Sequence, residues 1–273
     1  MASKKICIAG KNLIAIKGLE YIVEYGIHKE DIVCLTNQND QGIDSWQPSF
    51  KKYCLENEFQ LGSLQEIYNE ENLLFFSLEF DKIIKTEKFK SNKLYNIHFS
   101  LLPKYRGMYT SAMPLLNGEK ISGVTLHVID DGIDTGDIIS QKEFDINSLK
   151  NAYQLYLEYL KYGEIIFKEN FDNVYKGEYK SIAQSMADAT YYSKSAIDFK
   201  NINIDFNQTA FQVFNQLRAF SFEPFQLPVI AEKRIIDFEV TGFKCFEKPG
   251  KILEMNQNSF LISTIDYAVR LYV

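Results

Sequence analysis

Asn96, His98 and Asp134 are the side chains in this sequence whose types and spacing suit acyl transfer. The first two lie in Tyr95-Asn96-Ile97-His98-Phe99-Ser100-Leu101-Leu102-Pro103. Residues two apart in a strand share a face, so the amide and the imidazole point the same way. The third lies in Asp130-Asp131-Gly132-Ile133-Asp134-Thr135-Gly136-Asp137, whose two glycines allow a tight loop that can carry one carboxylate to a sheet edge. An amide NH2 donates to the oxyanion of a tetrahedral intermediate. An imidazole moves a proton near neutral pH, and a carboxylate orients and stabilises the imidazolium or an ordered water. No Ser or Cys nucleophile belongs to the set, which favours direct attack by a substrate amine. Each segment also has a plain structural reading. A His in an apolar strand is more often a core residue, and an Asp-Gly loop can be a turn or a weak cation site. The chain has three histidines. His28 follows a helix-ending glycine and is expected at the surface. His127 sits in a strand without a polar neighbour and is expected to be structural.

The elements that must position these groups alternate strand and helix, the pattern of a parallel sheet covered on both faces. Strands are expected at Lys5–Ala9, Asp31–Thr36, Leu73–Leu78, Lys93–Phe99, Val124–Ile129 and Ile138–Phe144. Asn12 is placed to cap a first helix with Leu13, Ile16, Leu19 and Val23 on its apolar face and Gly26 at its end. A long helix is expected over 147–175, closed by Gly177, followed by an irregular stretch over 178–204. Another helix begins near Asp205, with Ala210, Val213, Phe214 and Leu217 on one face. Strand-like runs then follow at Arg234–Val240, Lys251–Met255, Phe260–Ile265 and Tyr267–Tyr272. The fold class is α/β: a Rossmann-like, doubly wound, mostly parallel sheet in residues 1–200, with a small C-terminal β-rich domain in 201–273.

Composition narrows the function classes. A net charge of −6 and a pI near 5.3 make a poor general binder of phosphate backbones, so nucleic acid is not expected as a partner. Cys7, Cys34, Cys54 and Cys245 are scattered without a C-x-x-C pair and suit reduced thiols. No clustered ligand set suggests a metal. The apolar run Ile6–Gly10 is too short for a signal sequence, and no stretch approaches the roughly 20 residues of a membrane span, so a cytoplasmic protein is expected. The first turn, Gly10-Lys11-Asn12-Leu13-Ile14-Ala15, lacks G-x-G-x-x-G and argues against a nicotinamide oxidoreductase.

Asn-x-His-x-Ser-Leu-Leu-Pro, then Arg106-Gly107, then Asp-x-Gly-x-Asp-Thr-Gly resembles the N10-formyltetrahydrofolate-dependent formyltransferase family. Asp134 follows His98 by 36 residues, in agreement with that pattern. The resemblance covers residues 4–145 well and 205–230 weakly. It implies catalytic roles for Asn96, His98 and Asp134. Asp131, which precedes a glycine, is expected to support the turn through its own backbone bonds. It further implies a folate cleft at Ser77, Leu78, Phe80, Ile83, Val128, Asp130 and Asp131, with N10-formyltetrahydrofolate as co-substrate and no metal.

The methionyl-tRNA enzymes of this family carry an inserted basic loop after the second strand. Thr36–Asp44 here is short and without a basic residue. Gly107-Met108-Tyr109-Thr110-Ser111-Ala112-Met113-Pro114 is more similar to the bacterial nucleotide-sugar N-formyltransferases. That subgroup implies a dTDP-linked amino-dideoxyhexose as substrate, the C3 amine being favoured over C4, in the synthesis of surface polysaccharide. Its binding residues would be Lys104, Tyr105, Arg106, Gly107, Met108, Tyr109 and Thr110, with the first three at the pyrophosphate. The competing readings are a methionyl-tRNA formyltransferase-like enzyme and a non-catalytic nucleotide-sugar-binding protein. Edge strands after residue 225 lead us to expect a homodimer.

Overall fold

The computed structural model describes residues 4–273. Fifteen strands are β1 (Lys5–Gly10), β2 (Ile32–Thr36), β3 (Gln60–Leu61), β4 (Leu73–Leu78), β5 (Leu94–His98), β6 (Arg106–Gly107), β7 (Ile121–Val128), β8 (Ile138–Asp145), β9 (Tyr191–Tyr192), β10 (Val229–Ile230), β11 (Lys233–Arg234), β12 (Asp237–Lys244), β13 (Ile252–Met255), β14 (Ser259–Ile262) and β15 (Tyr267–Tyr272) among the described residues. The α-helices are α1 (Asn12–Glu24), α2 (Phe50–Glu56), α3 (Leu64–Ile67), α4 (Met113–Leu116), α5 (Ala152–Lys176) and α6 (Ala210–Phe220).

Two compact units form. The first holds the residues up to Gly107, Gly123–Phe144 and Glu158–Tyr191; the second holds Met108–Ser122, Asp145–Leu157 and Tyr192–Val273. The central sheet has the order β3-β2-β1-β4-β5-β7-β8. Its first five strands pair in parallel, and β7 runs antiparallel to β5. This is the doubly wound, mostly parallel architecture expected. The chain leaves β1 for β2 on one side and returns to β4 on the other, which makes β1/β4 the topological switch point. β4, Leu-Leu-Phe-Phe-Ser-Leu, is buried throughout, as a central parallel strand must be. Gly10 ends β1 where a Cβ would sit 2.0 Å from the Leu78 carbonyl oxygen, so only glycine lets the two strand ends approach.

α1 differs from expectation at its start. Lys11 is the N-cap and makes no side-chain cap bond, while Asn12 has φ +58. The buried face runs through Ile14, Ala15, Ile16, Leu19 and Ile22, and Val23 is exposed, because the helix packs Gly18 against Leu78 rather than Leu13 and Val23. α6 starts at Ala210, five residues later than expected, since Thr209 and Gln212 form its capping box.

In the second unit, α6 packs Ala210, Val213 and Leu217 on Phe260, Ile262, Val269 and Leu271 of a sheet ordered β12-β15-β14-β13. Arg218 is buried in this unit and donates to the carbonyls of Ile146 and Leu149.

Candidate active site

β5 delivers Asn96 and His98 to one face, and the antiparallel neighbour delivers two more residues to that face. The register pairs Asn96 with His127 and His98 with Thr125. Directly opposed residues in such a pair bring their side chains together. His127 is therefore not the isolated strand histidine expected from sequence. Its Nδ1 donates to the Val128 carbonyl at 2.7 Å, which leaves Nε2 as acceptor for the Asn96 amide at 3.0 Å. A cross-strand register was the signal that could have found it, and the local sequence does not contain one.

Asp134 completes the cluster from the loop between β7 and β8. Its backbone has φ +55, a conformation that costs a residue with a Cβ roughly 1–3 kcal/mol and clusters at functional sites. Oδ2 lies 3.4 Å from His98 Nδ1 and accepts the Gly107 N–H at 2.9 Å. Oδ1 accepts from the Asn96 amide at 3.3 Å and lies 3.7 Å from His127 Nε2. Burial pushes the Asp134 carboxyl upward, yet the nearby His98 and His127 rings when charged and the Gly107 N–H outweigh it and hold the group well below the usual carboxylate range. Asp134 is thus a stable anion beside an imidazole.

The ring of His98 is pinned as well. Nε2 donates to the Tyr105 carbonyl at 2.8 Å, and a carbonyl can only accept, so the neutral imidazole keeps its lone pair on Nδ1, facing Asp134. The loop after β5 is held by Thr125, whose hydroxyl donates to Ser100 O at 2.6 Å and accepts the Leu102 N–H at 3.2 Å. Gln141 adds bonds to Leu102 O and to Thr125.

The loop's other carboxylates take roles different from those expected. Asp130, not Asp131, supports the turn: its Oδ1 accepts the Gly132 N–H at 3.1 Å and the Thr135 hydroxyl at 2.6 Å. Asp131 is exposed and accepts from the Thr86 hydroxyl. The reason is register, since an Asx turn closes two residues on from its carboxylate.

A cavity of about 680 Å³ in the first unit is lined by Thr86, Phe89, Leu94, Val128, Ile129, Asp130, Asp131 and Gly136, among others. That is within the usual size for a small-molecule site. It takes in Val128, Asp130 and Asp131 of the residues expected around folate. Leu78 lies in the core and Ser77 is buried beside it, Phe80 packs on the core at Phe75, and Ile83 is exposed. None of these four lines the cavity. Asn96, His98 and Asp134 do not line it either.

Of the residues expected at the nucleotide sugar, Lys104 is exposed and Tyr105 is buried at φ +61. Gly107 gives its N–H to Asp134. Arg106 departs from expectation. Its guanidinium is turned inward onto Gln184 and the Met186 sulfur, not outward to an anion, because the main chain of Arg106 is zipped to Thr190 and carries the side chain under that segment. In the second unit Met108 is exposed, and Tyr109 donates to Lys194 O at 2.7 Å and packs on Phe199. Thr110 is half-buried. No group of three or more His, Cys, Asp or Glu that could hold a metal occurs among the described residues. No helix among them is long and apolar enough to cross a membrane.

A formyl transferase family model matches residues 49–170, and the formyl transferase C-terminal domain model matches residues 197–273. The methionyl-tRNA formyltransferase of Kosmotoga olearia is 31% identical over 203 residues, which is 72% of this chain and 65% of that protein. The Staphylococcus aureus MW2 enzyme of the same name is 25% identical over 262 residues, 90% of this chain and 84% of its own. Among solved structures, WlaRD, a sugar 3N-formyl transferase crystallised in the presence of dTDP and 5-N-formyl-THF, is 46% identical. Its TM-score is 0.92, with 98% of this chain and 97% of that chain covered. The N-formyltransferase of Helicobacter canadensis, in complex with folinic acid and dTDP-3-aminofucose, is 43% identical with a TM-score of 0.92, and 99% of each chain is covered.

Proposed function

The chain belongs to the formyl transferase family, and from that premise we propose that it transfers a formyl group from N10-formyltetrahydrofolate to the amine of a dTDP-linked 3-amino-3,6-dideoxyhexose. The observation that carries the chemistry is the single cluster of Asn96, His98 and Asp134 built at the end of β5. The choice of sugar follows the near full-length likeness to a sugar 3N-formyl transferase and to an N-formyltransferase solved in complex with dTDP-3-aminofucose.

Folate is assigned to the cavity bordered by Val128–Asp131 and lined also by Phe89 and Leu94, a mixed polar and apolar wall that suits a planar heterocycle. Asn96 steadies the negative charge that develops on the formyl oxygen. Both of its amide hydrogens are engaged in this structure, and the longer bond, 3.3 Å to Asp134, is the one exchanged for the formyl oxygen. His98 accepts the proton of the attacking amine at Nδ1, since Nε2 is committed to Tyr105. Asp134 then faces an imidazolium and stabilises it. The tetrahedral intermediate collapses by cleavage of the formyl carbon–N10 bond, and His98 returns its proton to the departing N10, which releases tetrahydrofolate and the formamide. Lys104 in the first unit is assigned to the pyrophosphate, and Met108, Tyr109 and Thr110 in the second unit are assigned to the sugar. The enzyme works as a cytoplasmic homodimer that supplies formylated sugars for bacterial surface polysaccharide.

Methionyl-tRNA as substrate is less well supported by the loop after β2. Asp40 accepts from Gly42, Ser49 and Lys51, and Asp44 accepts the Ser49 N–H and pairs with Lys52, so the loop's own carboxylates fold it back and it offers no basic arm. The test is a panel of dTDP-amino sugars with N10-formyltetrahydrofolate, each product read by mass. We expect one formyl group on the 3-amino sugars. Formylation of methionyl-tRNA with none of any sugar overturns the reading.

A further inference from the structure

Resting on the role given to Asp134 above, we infer that Gln184 and Arg106 are positioning residues that brace the catalytic loop and so set where the Asp134 carboxylate stands. Gln184 lies in the stretch between α5 and α6, far from the loop in sequence, and the mechanism gives it no task. Its amide nitrogen donates to two main-chain carbonyls of the loop, Asp134 O at 3.0 Å and Gly136 O at 2.7 Å. Its amide oxygen accepts two bonds from the Arg106 guanidinium, from Nε at 3.1 Å and Nη2 at 2.7 Å. The orientation is chemically forced, because a guanidinium only donates and a carbonyl only accepts.

The brace acts on a residue that needs one. Asp134 holds a left-handed backbone conformation that persists only when its surroundings over-determine it. The Gly136 position is equally fixed, since a Cβ there would lie 1.9 Å from the Val128 carbonyl oxygen. Gln184 itself is tethered two residues earlier, where Ile182 and Ile138 exchange main-chain bonds of 2.8 Å.

Arg106 links the brace to the rest of the cluster. Tyr105, Arg106 and Gly107 each secure a different part of it: the Tyr105 carbonyl takes the His98 Nε2 proton, the Gly107 N–H holds Asp134 Oδ2, and the Arg106 side chain holds Gln184. The same segment is fastened to Thr190, through Tyr105 N to Thr190 Oγ1 at 2.7 Å and Arg106 N to Thr190 O at 2.9 Å. A shift at Gln184 therefore changes the distance between Asp134 and His98 while leaving both side chains in place chemically.

The test uses the full-length protein and the formyl-transfer assay. Gln184→Glu keeps size and an acceptor for Arg106 but sets an anion against the two loop carbonyls; Gln184→Met removes the donors without adding charge. Each is expected to lower kcat by about 10–100-fold, the range seen when supporting residues misplace reacting groups. KM for both substrates should change little; the urea midpoint should fall more in Gln184→Met, which takes the acceptor from the buried Arg106 guanidinium, than in Gln184→Glu, which keeps one. In the Asp134→Asn background, Gln184→Glu should cost no further kcat, because the group it positions has already lost its charge. Wild-type kcat in both Gln184 variants, a loss that adds in full to that of Asp134→Asn, or a rise in nucleotide-sugar KM in step with the loss overturns the brace. An Asp134→Asn enzyme with full activity overturns the role of Asp134 itself, and this inference with it.

Discussion

Nδ1 of His98 stands 3.4 Å from Oδ2 of Asp134 because the other nitrogen of the ring is tied to the Tyr105 carbonyl at 2.8 Å. The pair is thus oriented from both ends: Tyr105 selects the tautomer, and the Gly107 N–H fixes the carboxylate. A base whose lone pair is directed by a main-chain bond needs no rearrangement to receive a proton.

His98→Asn removes that acceptor while roughly preserving volume. We expect kcat to fall by about 10²–10⁴, the usual worth of general base catalysis. Binding of the dTDP-sugar, followed by calorimetry, should persist. A variant that keeps half of its single-turnover rate would assign the proton to another group.

Asp134 couples stability to pH. Its folded-state carboxyl is depressed, so the stability it contributes is present above the unfolded carboxylate range near pH ~4 and is lost as pH falls from there. The difference in urea midpoint between wild type and Asp134→Asn should shrink as the solution is acidified below about pH 4. A gap that widens on acidification below about pH 4 contradicts the sign of the shift.

The carboxylates of the catalytic loop separate by role. Asp130→Ala loses the acceptor for Gly132 and Thr135 and should destabilise by about 1–2 kcal/mol in thermal unfolding. Asp131→Ala loses one exposed bond to Thr86 and should stay within about 0.5 kcal/mol of wild type, with turnover intact. The reverse ranking would show that the loop's register differs from the one described.

Arg218 fastens α6 to main-chain carbonyls in the second unit, and burial pushes its guanidinium below the ordinary arginine range. Arg218→Met leaves the carbonyls of Ile146 and Leu149 without these donors. A loss of about 2–4 kcal/mol is expected from urea unfolding. Arg218→Lys should recover only part of it, since one ammonium cannot reproduce the planar fork.

Much of this protein is written locally. Alternating apolar runs placed β1, β4 and β5 within a residue or so, and Tyr267–Tyr272 matched β15, because burial on a pleated surface selects β-branched and aromatic side chains residue by residue. The period of two put Asn96 and His98 on one face, and the Asp-Gly loop brought Asp134 to them. Helix starts were less legible. Asn12 has the side chain of a cap but sits one residue inside the helix at φ +58, while the capping box of Thr209 and Gln212 overruled a start at Asp205.

What the sequence determined by itself is the identity of the reacting groups, since amide, imidazole and carboxylate are fixed by residue type, and strand periodicity follows from the covalent chain. Tertiary structure decided which groups support them. His127 enters the cluster only through the register of β7 against β5. Arg106 turns inward onto Gln184, 78 residues away, through the fold that zips its main chain to Thr190. Asp130 rather than Asp131 holds the turn because of how the loop closes. A hydrogen bond requires two groups within about 3 Å. For residues distant in sequence that proximity belongs to the fold, and no local pattern encodes it.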